Sequence, residues 1–430
     1  MFEVKGKICF TPKPHINSYE HLGRITELLN AQWRMKHMDD LSERLSSMIR
    51  RFDEETKARF CHAIIQASQT GAYEDCWCHS GEMYRECHFE RHTHRKISEG
   101  EVRKQLSKIF DSKKYCSASF DEKSCKLPIK GAHTVQRGRV LSSMAKDGHV
   151  GTFYRNINGF EKLRDIKTGI KKEASIFYGF CEYHDTGLFK DIELNEFTAT
   201  SENCWASSYR AVCHEYYQKN AAKEAVIWQL ENLDKGYELS EQLILQEQLF
   251  LLKRDVFKGF EDISSIKNKY EKAKVQSEYD LLSSYVTVLD EPLCLSVSAT
   301  MSPYYNISGV KVQNLGDPMY LFQHFALSTV TVNGCAAYVV SYLKEHNVIE
   351  KYLEEVFEKG SEFVKSWLTK CIFAYAENAF FNLDWWSNLR DDKKISIYNL
   401  AMSENYTVHF EIDDLVSSEI PGSIVSIERI

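Results

Sequence analysis

Hydrophobic residues in the first 110 positions recur at two spacings, and each predicts a different element. Alternation with a period of two predicts one strand from Phe2 to Phe10, which ends before Pro12 because proline cannot donate a ladder hydrogen bond. Spacings of three and four residues predict amphipathic helices with core-facing stripes. These stripes are Leu22, Ile25, Leu28 and Leu29; Leu41, Leu45, Met48 and Ile49; Phe60, Ile64 and Ile65; and Val102, Leu106 and Ile109.

The second half of the chain predicts a long helical hairpin followed by a mixed lobe. Residues 221–286 contain no proline and are rich in Leu, Glu, Lys and Gln at helical spacing, with a break near Gly236. Beyond Pro292, strands are expected at 293–298, at 328–340 and from 395 to 430, and helices from 347 to 379. A chain of 430 residues is too long for one small core, so the expected fold class is multidomain α+β.

Five segments are expected. They are a mainly helical N-terminal region (1–75), a small Cys/His module (76–95), a basic segment with a second Cys/His set (96–220), the helical hairpin (221–286) and a mixed α/β C-terminal domain (287–430).

The cysteines and the absence of long apolar runs restrict the class of protein. Thirteen cysteines in a chain that begins without a basic and apolar export signal favour thiols and metal ligands over a disulfide framework. No stretch approaches the roughly 20 apolar residues of a membrane span. We therefore expect a cytoplasmic protein without a membrane partner.

The charge is unevenly distributed along the chain. Residues 89–172 contain 20 Lys and Arg against 9 Asp and Glu, a net +11, which leaves −18 for the rest because the whole chain carries −7. Such a basic segment is typical of a surface that binds a phosphate backbone. The alternative is an ordinary solvated charged face.

Four potential zinc ligands lie close together in the first hundred residues: Cys76, Cys78, Cys87 and His88. Their spacing resembles the SEC-C zinc motif, which is known from the tail of the bacterial preprotein translocase ATPase and occurs as a small adaptor. Gly81 permits the turn over the metal. His79 stands where the family usually has glycine, and His92 and His94 are alternative fourth ligands.

A second set of ligands, Cys116, Cys125, Cys181 and His184, brackets a histidine in a strand-like segment. Three thiolates and an imidazole suit a tetrahedral zinc. The order of these parts resembles the HNH, or ββα-metal, endonucleases. The resemblance implies that His133 is the general base and that Asp185 holds a catalytic Mg or Mn ion.

The chain departs from the HNH pattern next to the base. The family usually has an Asp or His there, and this chain has Ala132, so His149 from a neighbouring strand is the candidate replacement. Gln136, Arg137 and Arg139 are expected to contact phosphate, because arginine offers a bidentate fork and does not deprotonate.

The full order of motifs also resembles a family of bacterial proteins with a SEC-C start, a Cys pair before Ala-His-Thr-Val-Gln-Arg, and a later Glu-Asn and Trp-Trp. Trp385 and Trp386 are expected to fill a core, with a base-stacking platform as the alternative. No Gly-rich phosphate loop is present, which disfavours a nucleotide-driven machine or a nucleotide-dependent transferase.

The expected function is metal-dependent cleavage of nucleic acid by a bacterial effector, in antiphage defence or as a toxin. Two structural zinc ions are expected, and a protein partner or a homodimer is compatible with the hairpin. The alternative is a non-catalytic adaptor in which both zinc ions are structural and the protein binds another protein or a nucleic acid.

Overall fold

The structure, a computed structural model, describes most of the chain after Glu54. The described residues are 54–68, 73–126, 128–154, 164–171, 173–314, 320–402 and 420–430. The predicted strand at Phe2–Phe10 and the predicted helical stripes at 22–29 and 41–49 lie outside them.

Helices in the described part of the chain range from short turns to two very long rods. They are α1 (Glu54–Ser68), α2 (Tyr84–Cys87), α3 (Glu99–Ser112), α4 (Ser142–Met144), α5 (Glu182–Leu194), α6 (Ser201–Asn232), α7 (Leu239–Gln276), α8 (Asn347–Glu358), α9 (Ser361–Lys370), α10 (Leu383–Asn388) and α11 (Asp391–Met402). Helical turns of other types occupy Arg91–Thr93, Ser119–Ser124, Arg137–Leu141, Tyr279–Leu281 and Cys371–Tyr375.

An eight-stranded antiparallel sheet lies at the centre of the fold, in the order β10-β5-β8-β7-β6-β9-β2-β3. Its strands are β2 (His149–Tyr154), β3 (Arg164–Gly169), β5 (Leu282–Leu289), β6 (Leu295–Met301), β7 (Phe325–Val332), β8 (Cys335–Leu343), β9 (Ala379–Phe381) and β10 (Ile424–Arg429). The strands β1 (Ile129–His133) and β4 (Ile176–Cys181) form a separate antiparallel pair. The predicted α+β class is therefore confirmed.

Side chains alternate along each strand, so each face of the central sheet presents its own set of side chains. Both sets are packed in a core. One face packs under α8 and α9, where Val297 and Tyr338 share a core with Trp367. The opposite face packs under α6, where Val339 shares a core with Trp205. That second core also contains β4 and α5, so the β1–β4 pair is attached to the sheet through α6.

Helices α6 and α7 form an antiparallel hairpin that carries the N-terminal modules. The turn between them contains Gly236, whose φ of 77° suits glycine, and it lies at the predicted break. Leu245 and Leu249 of α7 share a third core with Val226 of α6 and with α3. No helix in the described part of the chain is long and apolar enough to cross a membrane.

The prediction of strands from residue 395 onward was wrong for the first part of that range. Residues 395–402 belong to α11, where Ile397 and Ala401 lie on one buried face at helical spacing. Asp391 and Asp392 in the first turn stabilise the helix start, because carboxylates interact favourably with the N-terminal end of the dipole. The final strand, β10, is present and pairs with β5.

Trp385 and Trp386 fill a core. Trp386 is 6% exposed, and its ring lies 5.3 Å from Phe153 and 5.0 Å from Phe381, centroid to centroid. Trp385 packs partly buried against the same core and stacks on Phe373 at 6.3 Å.

Candidate metal centres and the surroundings of His133

The first group of ligands converges on one point. The ligand atoms of Cys76, Cys78, Cys87 and His88 all lie within 4.8 Å of one another. The Nδ1 atom of His88 is 3.2 Å from the sulfur of Cys76 and 3.1 Å from that of Cys87, and the sulfurs of Cys78 and Cys87 are 3.5 Å apart. Metal–ligand bonds of about 2.0–2.3 Å in a tetrahedron place ligand atoms at comparable separations. These four residues could hold a metal ion.

The local backbone explains how residues so close in sequence surround one point. The N–H of Cys76 donates to the carbonyl of Glu82 at 2.9 Å and closes a loop over the ligands. Gly81 has a φ of 85°, and His79 a φ of 56°. The left-handed conformation of His79 is what a glycine would adopt freely, at the position where the SEC-C motif usually has one.

His88 is the histidine of this group, and neither His92 nor His94 belongs to it. The Nε2 atom of His88 lies 2.8 Å from Oδ2 of Asp234. The Asp234 side chain lies in the α6–α7 turn and is completely buried. A carboxylate on the far nitrogen fixes the ring orientation and leaves Nδ1 to face the sulfurs. Metal-binding histidines typically have a carboxylate or carbonyl on the nitrogen that does not face the metal.

Asp234 is also held by two other side chains. Its Oδ1 accepts a hydrogen bond from Nε of Arg91 at 2.7 Å, and its Oδ2 accepts one from Nε2 of Gln246 at 2.8 Å. Burial alone would raise the pKa of Asp234, but the hydrogen bond from His88 and the charge of Arg91 hold it below its ordinary value. The carboxylate therefore stays ionised and ties the metal module to the hairpin.

We expect Asp234→Asn to lower the metal affinity of this group by about 10- to 100-fold, as loss of a carboxylate that orients a metal-binding histidine usually does. Competition with a coloured chelator measures the change. Asp121→Asn is the matched comparison, because Asp121 lies 3.3 Å from His184 at the second group but is 38% exposed, and its effect should be smaller. Equal chelator competition by wild type and Asp234→Asn would contradict this role.

The second group of ligands also converges, although it joins distant parts of the chain. The ligand atoms of Cys116, Cys125, Cys181 and His184 lie within 4.8 Å of one another. The Nδ1 atom of His184 is 3.3 Å from the sulfur of Cys116, 3.5 Å from that of Cys125 and 3.3 Å from that of Cys181. This group could hold a second metal ion.

Backbone and side-chain contacts stabilise the second group. Burial tends to raise the pKa of Cys181, but backbone N–H groups of His184 and Lys126 lower it to about 7. The loop between Cys116 and Cys125 is fastened to α7 by Glu271, which accepts hydrogen bonds from Ser119 and Lys267. Each group is thus anchored to the long hairpin by a buried carboxylate, Asp234 in the α6–α7 turn and Glu271 near the C-terminal end of α7.

The second group joins the loop of residues 116–125 to the end of β4 and the start of α5. In the β1–β4 pair, Ile129 lies opposite Cys181 and His133 opposite Ile176. Helix α5 follows β4 directly, and its first turn contains His184 and Asp185. The connection from β1 to β4 is long because it includes β2 and β3, which belong to the central sheet. The result is a ββα unit with a Cys/His group at its corner.

His133 lies at the end of β1 and is half-buried. Its Nε2 atom is 3.0 Å from the carbonyl oxygen of Ile170. Since a carbonyl only accepts, this nitrogen carries the proton, and Nδ1 keeps its lone pair. Burial, together with the charges of Arg137 and Arg210, lowers the pKa of His133. The ring is therefore neutral at physiological pH and can accept a proton.

Asp185 lies beside an arginine. Its Oδ1 is 4.0 Å from Nη2 of Arg210, and the same Nη2 donates to Glu193 at 2.6 Å. The Arg210 side chain is 3% exposed and its guanidinium lies 3.9 Å from the centroid of the Phe189 ring. The described residues contain no third group of three ligands that would include Asp185. The neighbour that the structure gives Asp185 is thus a cation, and its role as holder of a catalytic ion stays a prediction.

The remaining predicted residues lie in different environments. Gln136 donates to the carbonyl of Glu193 at 2.8 Å, and Arg139 donates to that of Leu194 at 3.1 Å, so both fasten the end of α5. Arg137 is exposed next to the turn that follows His133. His149 has its Nδ1 atom 2.7 Å from the carbonyl of Asp147 and belongs to neither ligand group. Ala132 is buried in the core under α6.

Several residues around His133 gave no signal in the sequence. Arg210 and Glu193 influence its pKa, and Asn378 donates to the hydroxyl of Thr134 and to the carbonyl of Ser298, the latter at 3.2 Å. The sequence around Arg210 predicts only a core helix. The carboxylates that Arg210 faces, Asp185 and Glu193, belong to α5. Of these residues, the sequence analysis singled out the Glu-Asn pair at 377–378. It did not indicate that this pair lies near His133.

No protein-family model, curated protein or solved structure matches this chain. The SEC-C and HNH resemblances therefore rest on the residues and their geometry.

Proposed function

We propose that this protein cleaves nucleic acid, with the ββα unit of β1, β4 and α5 as the catalytic frame and His133 as the general base. The observation that carries the proposal is the orientation of His133. Its proton-bearing nitrogen is fixed by the carbonyl of Ile170, and its other nitrogen is left to accept a proton. The ring sits at the end of β1 opposite Ile176 of β4, and the second ligand group lies at the other end of this strand pair, beside Ile129 and Cys181.

Zinc is the ion we propose for both ligand groups. Three sulfurs and one imidazole nitrogen form a closed tetrahedral set typical of structural zinc, and such sets leave no position open for a substrate. The ion would hold Cys116, Cys125, Cys181 and His184 in place and so fix the start of β1, where Ile129 lies opposite Cys181, against the start of α5. The reacting groups would come from the protein's own side chains.

The charges near His133 suit a phosphodiester substrate. Arg137 is exposed and close enough for its charge to lower the pKa of His133. Its guanidinium offers a fork for phosphate oxygens. Residues 89–172, which include both side chains, carry a net charge of +11. This charge favours attraction of a phosphate backbone. We infer that Arg137 binds the phosphate on which His133 acts, while Gln136 and Arg139 support α5.

Purified protein incubated at low salt with plasmid, single-stranded DNA and RNA tests this proposal. Separate reactions contain Mg²⁺, Mn²⁺ or no added divalent ion, because a metal-dependent route through Asp185 stays a prediction. Cleavage of one nucleic acid is the expected result. If none is cut under any condition by protein with full zinc content, the proposal fails.

A zinc-stabilised adaptor is the second candidate, and one observation favours it. Buried carboxylates fasten both ligand groups to the α6–α7 hairpin, as expected of modules that only stabilise a scaffold. An adaptor would bind nucleic acid or a protein partner without changing it. A role in antiphage defence or as a toxin stays a prediction under either candidate.

A further inference from the structure

The cation beside Asp185 is the guanidinium of Arg210. Arg210 is almost completely buried, stacks on Phe189, and faces two carboxylates, Asp185 and Glu193. Within the described ranges, neither its Nε atom nor Oδ1 of Asp185 has a hydrogen-bond partner. A divalent ion at Asp185 would lie a few ångströms from this fixed positive charge, and like charges at that distance repel each other.

Arg210 also cannot easily move away. Moving it would take a 3%-exposed guanidinium off the Phe189 ring and leave Asp185 and Glu193, each 32% exposed, without this counter-charge. A guanidinium thus lies 4.0 Å from the carboxylate that would hold a divalent ion in an HNH enzyme. The groups available for cleavage without that ion are His133, Arg137 and the fixed charge of Arg210.

We propose that the substrate is RNA and that the site cleaves it without a divalent ion, through attack by the ribose 2′-hydroxyl. This inference rests on the proposed function and specifies its substrate. Without a metal to generate hydroxide, an external water is a poor nucleophile, whereas the 2′-hydroxyl is already attached next to the phosphorus. Well-oriented intramolecular nucleophiles reach effective molarities of about 10⁵–10⁸ M, and DNA has no such group.

The reaction balances with the groups present. Nδ1 of His133 takes the proton of the 2′-hydroxyl, and the oxygen forms a bond to phosphorus as the bond from phosphorus to the 5′-oxygen breaks. The departing 5′-oxygen takes a proton from water, and His133 returns its own proton to solvent. The products are a 2′,3′-cyclic phosphate and a 5′-hydroxyl end. Arg137 binds the phosphate oxygens during the transfer.

Three oligonucleotides of one sequence test the inference: RNA, its 2′-O-methyl form and DNA. Each is incubated with the full-length protein in EDTA, after elemental analysis has shown that both zinc ions remain bound. We expect cleavage of RNA alone, and mass spectrometry should find 2′,3′-cyclic phosphate ends.

The outcomes separate this inference from the proposed function. Cleavage of DNA or of the 2′-O-methyl strand, or cleavage that requires Mg²⁺ or Mn²⁺ and leaves 5′-phosphate ends, overturns the RNA mechanism and keeps the nuclease. Failure to cut any strand with or without divalent ions overturns both.

A matched pair of exposed substitutions tests the phosphate contact. Arg137→Gln should lower kcat/KM on RNA by about 10- to 100-fold, the loss expected for a charge-assisted hydrogen bond. Lys108→Gln removes the same charge from the same basic segment at an exposed position in α3, and should change the rate by less than about threefold. Equal losses for the two variants would show general attraction only and would overturn the contact.

Discussion

Cys181→Ser should release one zinc ion per chain and lower the free energy of unfolding by at least about 3 kcal/mol. Cys181 ends β4, and its group brings together segments that are 55 residues apart between Cys125 and Cys181. Binding energy at such a group is folding energy, because the ligands are not together in the unfolded chain. Denaturant unfolding and elemental analysis of the same samples measure both quantities.

Cys61→Ser is the control for this substitution. Cys61 is an exposed thiol in α1 and belongs to neither ligand group, so its loss should change stability by less than about 0.5 kcal/mol. An unchanged zinc content in Cys181→Ser would contradict the second metal centre. A loss of zinc with unchanged stability would instead contradict its role in holding the ββα unit together.

His133→Ala should lower the rate of cleavage by about 10²- to 10⁴-fold, the usual contribution of a general base. The fold and the zinc content should stay intact, because His133 belongs to neither ligand group and its Nε2 contacts the carbonyl of Ile170. His62→Ala is the matched control, since His62 is 41% exposed in α1. Cleavage by His133→Ala at the wild-type rate would exclude this residue as the base.

The pH dependence of cleavage follows from the same residue. Burial lowers the pKa of His133 from the ordinary value of 6.5, and Arg137 and Arg210 lower it further, although the carbonyl of Ile170 opposes them. A general base acts in its neutral form, so the rate should rise with pH through a midpoint below 6.5 and be level at pH 7. A midpoint above 7 in the profile of kcat/KM would contradict this assignment.

The ligand groups were predictable because their spacing is local or paired. The four ligands of the first group lie within thirteen residues, and the second group is made of the close pairs Cys116–Cys125 and Cys181–His184. A tetrahedral ion imposes the same donors and short loops wherever it binds. A metal site requires particular residue types at particular spacings, so it can be predicted from the sequence before the fold is known.

The residues that support these groups were not predictable. Asp234 reaches His88 only because the α6–α7 hairpin folds back over the first module, and Glu271 reaches Ser119 in the same way. A carboxylate in a helix rich in Glu and Lys is usually solvated. Which carboxylates are buried depends on tertiary packing, and this information is absent from local spacing.

Arg210 is the clearest example of this limit. The resemblance to HNH enzymes assigned Asp185 a metal ion, since the family's helix carries a metal ligand at that position. The structure has Arg210 of α6 4.0 Å from that carboxylate. The sequence around Arg210 predicts only a helix, so its proximity to Asp185 became visible when α5 and α6 were seen packed together.

Part of the C-terminal prediction was wrong for a physical reason. Apolar residues near Ile395 and Ile397 alternate as in a strand, but the acidic start at Asp391 and the buried pair of Ile397 and Ala401 suit a helix. A short alternating stretch is compatible with either element, and only packing against the core decides between them. The final strand, β10, had the clearer alternation and the sheet edge to pair with.

X-ray diffraction from crystals grown with Mn²⁺, collected on both sides of the zinc and manganese absorption edges, tests the central claim most directly. The account predicts two zinc peaks, one among Cys76, Cys78, Cys87 and His88 and one among Cys116, Cys125, Cys181 and His184. It also predicts no manganese peak beside Asp185, where Arg210 should hold its place. A missing zinc peak at either group, or a manganese ion bound to Asp185 with Arg210 displaced, would contradict it.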